Sequence, residues 1–302
     1  VIEIIANQRL HLVTGKGGVG KSTVAAGLAL KLAQAGEKTL LVELGERSFY
    51  SAAWEQDFGF EPQPVGSHLW VSRWQAEDCL KEYLGHLLKV SKIAELFFEN
   101  RVMKALVNSA PALKELAIAG KLTSTPRQVG PSLDFAHIVL DAYSTGHFKA
   151  LLNAPIGMAE AVGIGPMGEQ SRGIAETLQR PEITQIYIVA LPEELPVKET
   201  LELHSFLKQH YSQSTKVIMN KSLHSVFSVD EVSNLHKEAS AAGATSVSLK
   251  YINYLSARIE DEVAFRKDLP KETLSLEHQY LPTSKELYHK VAERLAEVID
   301  AR

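Results

Sequence analysis

Cysteine is nearly absent from this chain: Cys79 is the single one among 302 residues. One thiol cannot build an intramolecular disulfide framework, which fits a reducing compartment, so a cytoplasmic location is expected. No apolar run approaches the roughly 20 residues that span a bilayer. The N-terminal residues lack the pattern of a secretory signal. Basic charge is not in excess. Lys and Arg number 32 against 36 Asp and Glu, a formal net charge of −4, which argues against general nucleic-acid binding. Internal repeats and low-complexity segments are also missing. What remains is 45% apolar and 23% charged, ordinary for a globular protein with a substantial core.

What is present is concentrated near the start. Gly15-Lys16-Gly17-Gly18-Val19-Gly20-Lys21-Ser22-Thr23 fits the phosphate-loop pattern G-x-x-x-x-G-K-S/T, with an additional lysine directly after the first glycine. Leu10 to Val13 reads as a short apolar strand ahead of it. Ser22 to Ala35 reads as a helix behind it, with Val24, Leu28 and Leu32 on one face and Gly36 as its stop. Glycines let the backbone turn its N–H groups inward toward phosphate oxygens. The helix N-terminus adds the positive end of its dipole. Lys21 reaches the terminal phosphates, and the Ser22 hydroxyl is a magnesium ligand.

Apolar strands alternate with helical patterns along the chain, which predicts an α/β fold with a doubly wound, mostly parallel sheet of the P-loop NTPase kind. Candidate strands are Leu10–Val13, Thr39–Glu43, His137–Asp141, Ile186–Leu191, Lys216–Asn220 and Thr245–Leu249. Residues 1–302 are expected to form a single ATPase domain, with a helical subdomain inserted at approximately 74–125 plus 155–180. Its first part carries Leu80, Tyr83, Leu84, Leu87 and Leu88 at helical spacing, then Leu96, Phe97, Phe98, Val102, Met103, Leu106 and Val107. Its second part, Pro155 to Arg180, holds Gly157, Gly163, Gly165, Pro166 and Gly168, a density that suggests mobility, before a helix-like run to Leu178. A last helix opens with a capping box, Thr283 and Glu286, after Pro282. Leu287, Val291, Leu295 and Val298 form its apolar stripe, and its mixed charges point to packing on the domain rather than on a membrane.

Two further elements carry chemistry. Asp141 ends an apolar strand, and in this topology such an acid lies beside the phosphate loop and holds magnesium through a water. The residues that follow, Ala142-Tyr143-Ser144-Thr145-Gly146-His147, are small, hydroxylated or flexible enough for a loop that responds to a γ-phosphate. Val217-Ile218-Met219-Asn220-Lys221 ends a strand in Asn-Lys, as in the N-K-x-D element of GTPases, but Leu223 stands where the Asp would be. Without a carboxylate to accept from guanine, Asn220 pairs with adenine, so ATP is the expected nucleotide.

The loop with its second lysine resembles the deviant Walker A of the MinD/ParA/ArsA class. Asp141 to His147 resembles the D-T-A-P-T-G-H switch of the ArsA arsenite-pump ATPases and of the GET-pathway ATPases that target tail-anchored membrane proteins. Phe148-Lys149-Ala150-Leu151-Leu152 is similar to that family's T-L-R-L-L. Leu191 to Thr200 looks like the P-E-x-x-x-V-x-E-T segment of its bacterial members, and Asn220 matches the adenine-contacting asparagine. The resemblance covers most of the chain in order. It implies ATP or ADP with Mg²⁺ as cofactor, bound by Gly15, Gly17, Gly18, Val19, Gly20, Lys21, Ser22, Thr23, Asn220 and Pro282. It implies a dimer whose helical subdomain moves with nucleotide state, and a Lys16 that reaches the partner's nucleotide. Lys16, Lys21 and Asp141 are the expected catalytic residues.

The departures shape the expectation. The family places D-P-A-H-S after the second strand, where its Asp positions the attacking water. This chain has Val42-Glu43-Leu44-Gly45-Glu46-Arg47-Ser48, so Glu43 or Glu46 would have to substitute. The C-x-x-C zinc pair is missing, and one cysteine supplies neither a three-thiolate arsenite site nor the two needed per subunit for a shared iron–sulfur cluster. No zinc and no iron–sulfur cluster are expected. The leading expectation is an ATP-hydrolysing dimeric switch acting on an apolar protein client or partner. Two alternatives stand beside it: a ParA/MinD-like positioning ATPase, and a weakly hydrolysing, nucleotide-gated subunit paired with a paralogue.

Overall fold

Strands without polar alternation form the centre of the molecule, a computed structural model that describes residues 10–88, 111–162, 165–211, 215–224, 226–279 and 281–300. β1 (Leu10–Gly15) is buried at every residue. It lies between β5 (His137–Asp141) and β6 (Thr184–Ala190), which are equally buried. A strand covered on both faces gains nothing from alternation, so its sequence is mostly apolar, and the polar residues it does carry, such as His11 and Thr14, are buried with the rest. β2 (Thr39–Leu44), β4 (Leu69–Trp74), β7 (Thr215–Ser222) and β8 (Leu274–Glu277) extend the sheet in parallel, and β3 (Gln63–Pro64) pairs antiparallel with β4. The order is β3-β4-β2-β5-β1-β6-β7-β8. The chain winds outward from β1 in both directions, as expected of a doubly wound sheet, and the crevice at such a reversal is where these folds place ligands.

Successive strand residues point to opposite faces, and the core divides accordingly. Val13, Leu41, Val139 and Val189 face α1 (Lys21–Gln34) and α11 (Ser284–Asp300), where Val24, Leu28 and Leu32 meet Tyr288, Val291 and Leu295. The Thr283 hydroxyl accepts from the Glu286 amide at 3.2 Å and starts α11. α2 (Ser51–Trp54) is a single turn on the same side. Leu12, Val42, Leu140 and Ile188 face the other way. There they meet α3 (Ala76–Leu88), α4 (Pro111–Leu122), α6 (Thr145–Val162), α7 (Pro166–Gln179) and α8 (Glu194–His210), with the short α5 (Ser124–Arg127) after α4. Leu80, Leu116, Ile118, Phe148, Ile174 and Leu178 bury one another in this layer. The expected apolar residues from Leu96 to Val107 lie outside the described residues, as does Gly163. α9 (Val229–Ala241) and α10 (Ser246–Asp268) pack on each other through Val232, Ile252 and Ile259.

Two sequence expectations are corrected. Thr245–Leu249 is not a strand but the start of α10. The Thr245 hydroxyl accepts from the Ser248 amide at 3.2 Å, and Val247 is 74% exposed, so an N-cap overrides the β propensity of this stretch. The strand beside β7 is Leu274–Glu277, whose Leu274 and Leu276 turn inward. Nor does a separate segment begin at Pro155. α6 runs through it, with Leu151, Leu152, Ala154 and Pro155 all buried. Packing of that face against the sheet outweighs the lost amide donor.

One buried pair makes a testable statement about the centre of the sheet. His11 on β1 meets His137 on β5, with Nε2 and Nδ1 3.1 Å apart. Burial, and then the neighbouring His137 and Lys31, lower the His11 pKa from 6.5 to about 3. The folded protein therefore keeps His11 neutral where the unfolded chain takes up a proton. Its contribution is complete above the unfolded pKa and is lost as pH falls toward the folded one. Wild type should lose about 3 kcal/mol more stability than His11→Leu between about pH 7 and about pH 4, read from urea unfolding. Equal slopes in the two proteins would show that His11 is already protonated in the fold.

Candidate functional site

The loop between β1 and α1 takes its position from the register of the central strands. Val13 lies opposite Asp141 on one side, and Gly15 opposite Val189 on the other. Gly20 caps α1 in a left-handed conformation, φ 92°, with no side chain closing the first-turn amides and no acid in that turn. Those amides are the donors that bind anions at helix N-termini. A Cβ on Gly20 would come within 2.4 Å of Asn220 Nδ2. Asn220 lies near the end of β7, is 7% exposed and donates to the Val19 carbonyl at 2.8 Å. The expected base-contacting residue thus braces the phosphate loop, and its carboxamide retains a second N–H and an oxygen.

Charges converge beneath the loop. The Lys21 ammonium donates to the Lys16 carbonyl at 3.1 Å. Burial lowers its pKa, and Asp141 opposes that shift. Asp141 is buried, and burial raises its carboxyl to about 6 against hydrogen bonds from Ser22 and Tyr50 and the charge of Lys21. The Tyr50 hydroxyl lies 3.0 Å from both Asp141 Oδ2 and the Ser22 carbonyl, sharing its one proton between them. Tyr50 is fully buried and meets Phe49, Trp54 and Tyr288 edge-on, which ties the chain after β2 to α11.

Glu43 pairs with Asp141 in the β2–β5 register. Its Oε2 accepts from the Ser48 hydroxyl at 2.7 Å and its Oε1 from the Phe49 amide. Burial still raises its pKa above the usual carboxylate range. The carboxylate organises the loop that follows β2. Glu46 is exposed there, and its carbonyl accepts from Arg73 at 2.7 Å. Of the two acids considered for the missing family aspartate, only Glu43 is brought to Asp141, and both its oxygens already accept hydrogen bonds.

Lys16 points across the loop to Glu199 on α8, with which it forms an ion pair. Glu199 Oε2 also accepts from the Thr145 hydroxyl, at 2.9 Å, in the first turn of α6. Its carboxyl is held below the usual range, first by the Lys16 hydrogen bond. Thr14, at the end of β1, donates to the Tyr143 carbonyl at 2.8 Å, so the stretch after Asp141 is attached to the strand ahead of the loop directly and to Lys16 through Glu199. His147 is exposed, with its ring 5.9 Å from that of Tyr143. Pro282 is exposed in the turn ahead of α11. Gly17 and Gly18 have open space around them, whereas Val19 is fully buried under the loop. Ser22 and Thr23 follow Lys21 in the first turn of α1 and are half-buried. Cys79 is buried, and burial pushes its thiol up to about 12, away from metal-binding chemistry.

Tyr50 and the Glu199 contacts were not foreseen. No local pattern marks Tyr50. Glu199 belongs to the Leu191–Thr200 segment, whose likeness to a known segment was the available signal. Among the described residues no helix is long and apolar enough to cross a membrane.

Comparison with known proteins agrees with this geometry. The chain is 31% identical over 227 residues to ATPase BagA of Mycobacterium tuberculosis, covering 72% of this chain and 66% of that protein. It is 29% identical to a putative arsenical pump-driving ATPase of Halobacterium salinarum, of which the match spans 35%. It is 25% identical to an ATPase ASNA1 homolog of Plasmodium chabaudi, over 64% of that protein. The chain thus spans just under two thirds of its mycobacterial relative and about a third of the haloarchaeal one. The family model for anion-transporting ATPases matches residues 8–165, a stretch that starts just ahead of β1 and takes in the loop, Asp141 and all of α6. Just over half of the sequence lies in that match, and the chain belongs to the anion-transporting (ArsA) ATPase family.

Proposed function

We propose that the chain is an ATP-dependent switch that binds Mg-ATP on residues 15–23 and transmits nucleotide state to its helices. The observation that carries this reading is the convergence of Lys21, Ser22 and the buried Asp141 at one end of α1. Gly15, Gly17, Gly18, Val19 and Gly20 supply the backbone cradle, Thr23 lies in the same turn, and Asn220 and Pro282 flank the base. The donor set suits magnesium. Asp141 is a buried carboxylate whose charged form a cation would favour, and Ser22 is a hydroxyl already hydrogen-bonded to it. Bound there, Mg²⁺ would neutralise charge on the terminal phosphates. Lys21 reaches those phosphates, and Asp141 holds the cation through a water.

Transmission runs through Lys16, Glu199 and Thr145. A phosphate that draws Lys16 away leaves Glu199 without its cationic partner, and Glu199 holds the start of α6 through Thr145, where α6 packs into the helical layer. A ligand shifts such an equilibrium only through different contacts with the two arrangements, and this lysine makes that difference. Residues 1–302 act as one domain, with a helical subdomain from approximately 74–125 and 155–180 that presents an apolar surface to a protein client. The nucleotide-bound form is a dimer in which Lys16 serves the partner's nucleotide, as a mobile positive charge stabilises the transition state of phosphoryl transfer. A second reading has its own observation. Both oxygens of Glu43 are engaged with Ser48 and Phe49, which favours a slowly hydrolysing subunit paired with an active paralogue.

Calorimetric titration tests the site. ATP should bind more tightly than GTP, and Lys21→Ala should lower ATP affinity at least about tenfold, the loss of one charge-assisted contact. Undiminished binding by Lys21→Ala, or a preference for GTP, sinks the assignment. Phosphate release tests the role of Lys16. Lys16→Ala should turn over ATP about a hundredfold or more slowly than wild type, while an equimolar mixture with Lys21→Ala recovers part of the rate. No recovery on mixing would place Lys16 on its own subunit's nucleotide. Unchanged turnover by Lys16→Ala would remove it from the chemistry.

A further inference from the structure

A fully buried carboxylate stands behind the strand end that carries Asn220. Glu262, on α10, has no exposed surface. Its Oε1 accepts from the Ser222 hydroxyl, and its Oε2 accepts from the amides of Leu223 at 2.8 Å and His224 at 3.1 Å. Burying a carboxylate is costly unless donors converge on it, so three donors mark a site where the chain path is strongly specified.

The path specified is an unusual one. Lys221, between Asn220 and the held segment, has a left-handed backbone with φ 56°. The pairing of β7 with β8 shifts register between Met219 and Ser222. A long side chain at positive φ is strained and persists only where the surroundings over-determine it. Glu262 holds one flank. The His278 amide, donating to the Ser222 carbonyl at 3.0 Å, holds another. Asn220 itself is fastened to Val19. One turn earlier on α10, Arg258 reaches Glu193 at 3.6 Å, so the same helix also touches the loop after β6. α10 therefore supports both loops beside Asn220, at the strand ends where doubly wound sheets bind ligands.

We infer that Glu262 is a positioning residue for the base of the bound nucleotide, fixing residues 220–224 so that Asn220 meets adenine. The inference rests on the nucleotide reading above. It also bears on specificity. Guanine recognition needs a carboxylate that accepts from the ring N–H and the amino group. Leu223 offers none, and Glu262 directs both oxygens at the chain itself.

Calorimetry on the full chain with three probes, ATP, ADP and inorganic tripolyphosphate, separates the base from the phosphates. Glu262→Gln places an amide donor against backbone donors. It should weaken ATP and ADP about tenfold and leave tripolyphosphate within about twofold. Ser222→Ala removes one of the three donors without burying a new group and should show the same split, at about threefold. If Glu262→Gln does not fold, Ser222→Ala decides the matter. Equal losses for ATP and tripolyphosphate would reduce Glu262 to a general stabiliser, and unchanged ATP affinity would overturn the inference outright. A wild-type chain that binds none of the three probes would instead overturn the phosphate-loop reading, which is a separate failure.

Discussion

Burial of β1 on both faces and along both edges is the constraint on which the site depends. A strand so enclosed has one acceptable register, because a shift by one residue would turn each side chain to the opposite layer. That register sets Val13 against Asp141 and Gly15 against Val189. The loop and the acid therefore emerge at the same level of the sheet. α1 packs against α11 through Leu28, Leu32, Val291 and Leu295, which holds its first turn at a fixed height above them.

The electrostatics follow from that placement. Asp141 is forced into a buried position, which raises its carboxyl, and Lys21 in the same place is pushed the other way. Each shift is opposed by the other group's charge. Lys16 and Glu199 form a second, more exposed pair, tied to α6 through Thr145. Such a half-exposed pair contributes little stability. It is therefore suited to be exchanged for another partner, whereas the buried pair is not. The two lysines of one loop, five residues apart, thus have different environments.

Glu43 organises the loop after β2. It stands on the strand itself, and its oxygens close the loop onto Ser48 and Phe49. Tyr50 then reaches Asp141 from the same segment. The two contacts are joined by a stretch of eight residues, Glu43 to Tyr50, which makes the loop an organised structure around an aromatic cluster.

Features whose physics is contained in neighbouring residues were legible. The phosphate loop needs small residues, a lysine and a hydroxyl in a row between a strand and a helix. The buried strands need mostly apolar runs, and Thr283 needs only Glu286 three residues on. Thr245–Leu249 misled because cap and strand use the same residue types, and neighbours alone do not choose between them. β8 was missed because its four residues are a weak pattern whose meaning comes from β7. Pro155 in a helix is decided by the buried face of α6 against the sheet. The contacts that assemble the site are the least local of all. Tyr50 and Asp141 are 91 residues apart, Lys16 and Glu199 183, and Ser222 and Glu262 40. The amino-acid sequence by itself determined the phosphate loop, the central buried strands and the family, because these rest on short-range pattern. Only the tertiary structure decided which carboxylates are buried, which are paired and which loop each one holds, because burial and hydrogen bonding depend on what the rest of the chain brings to the same place.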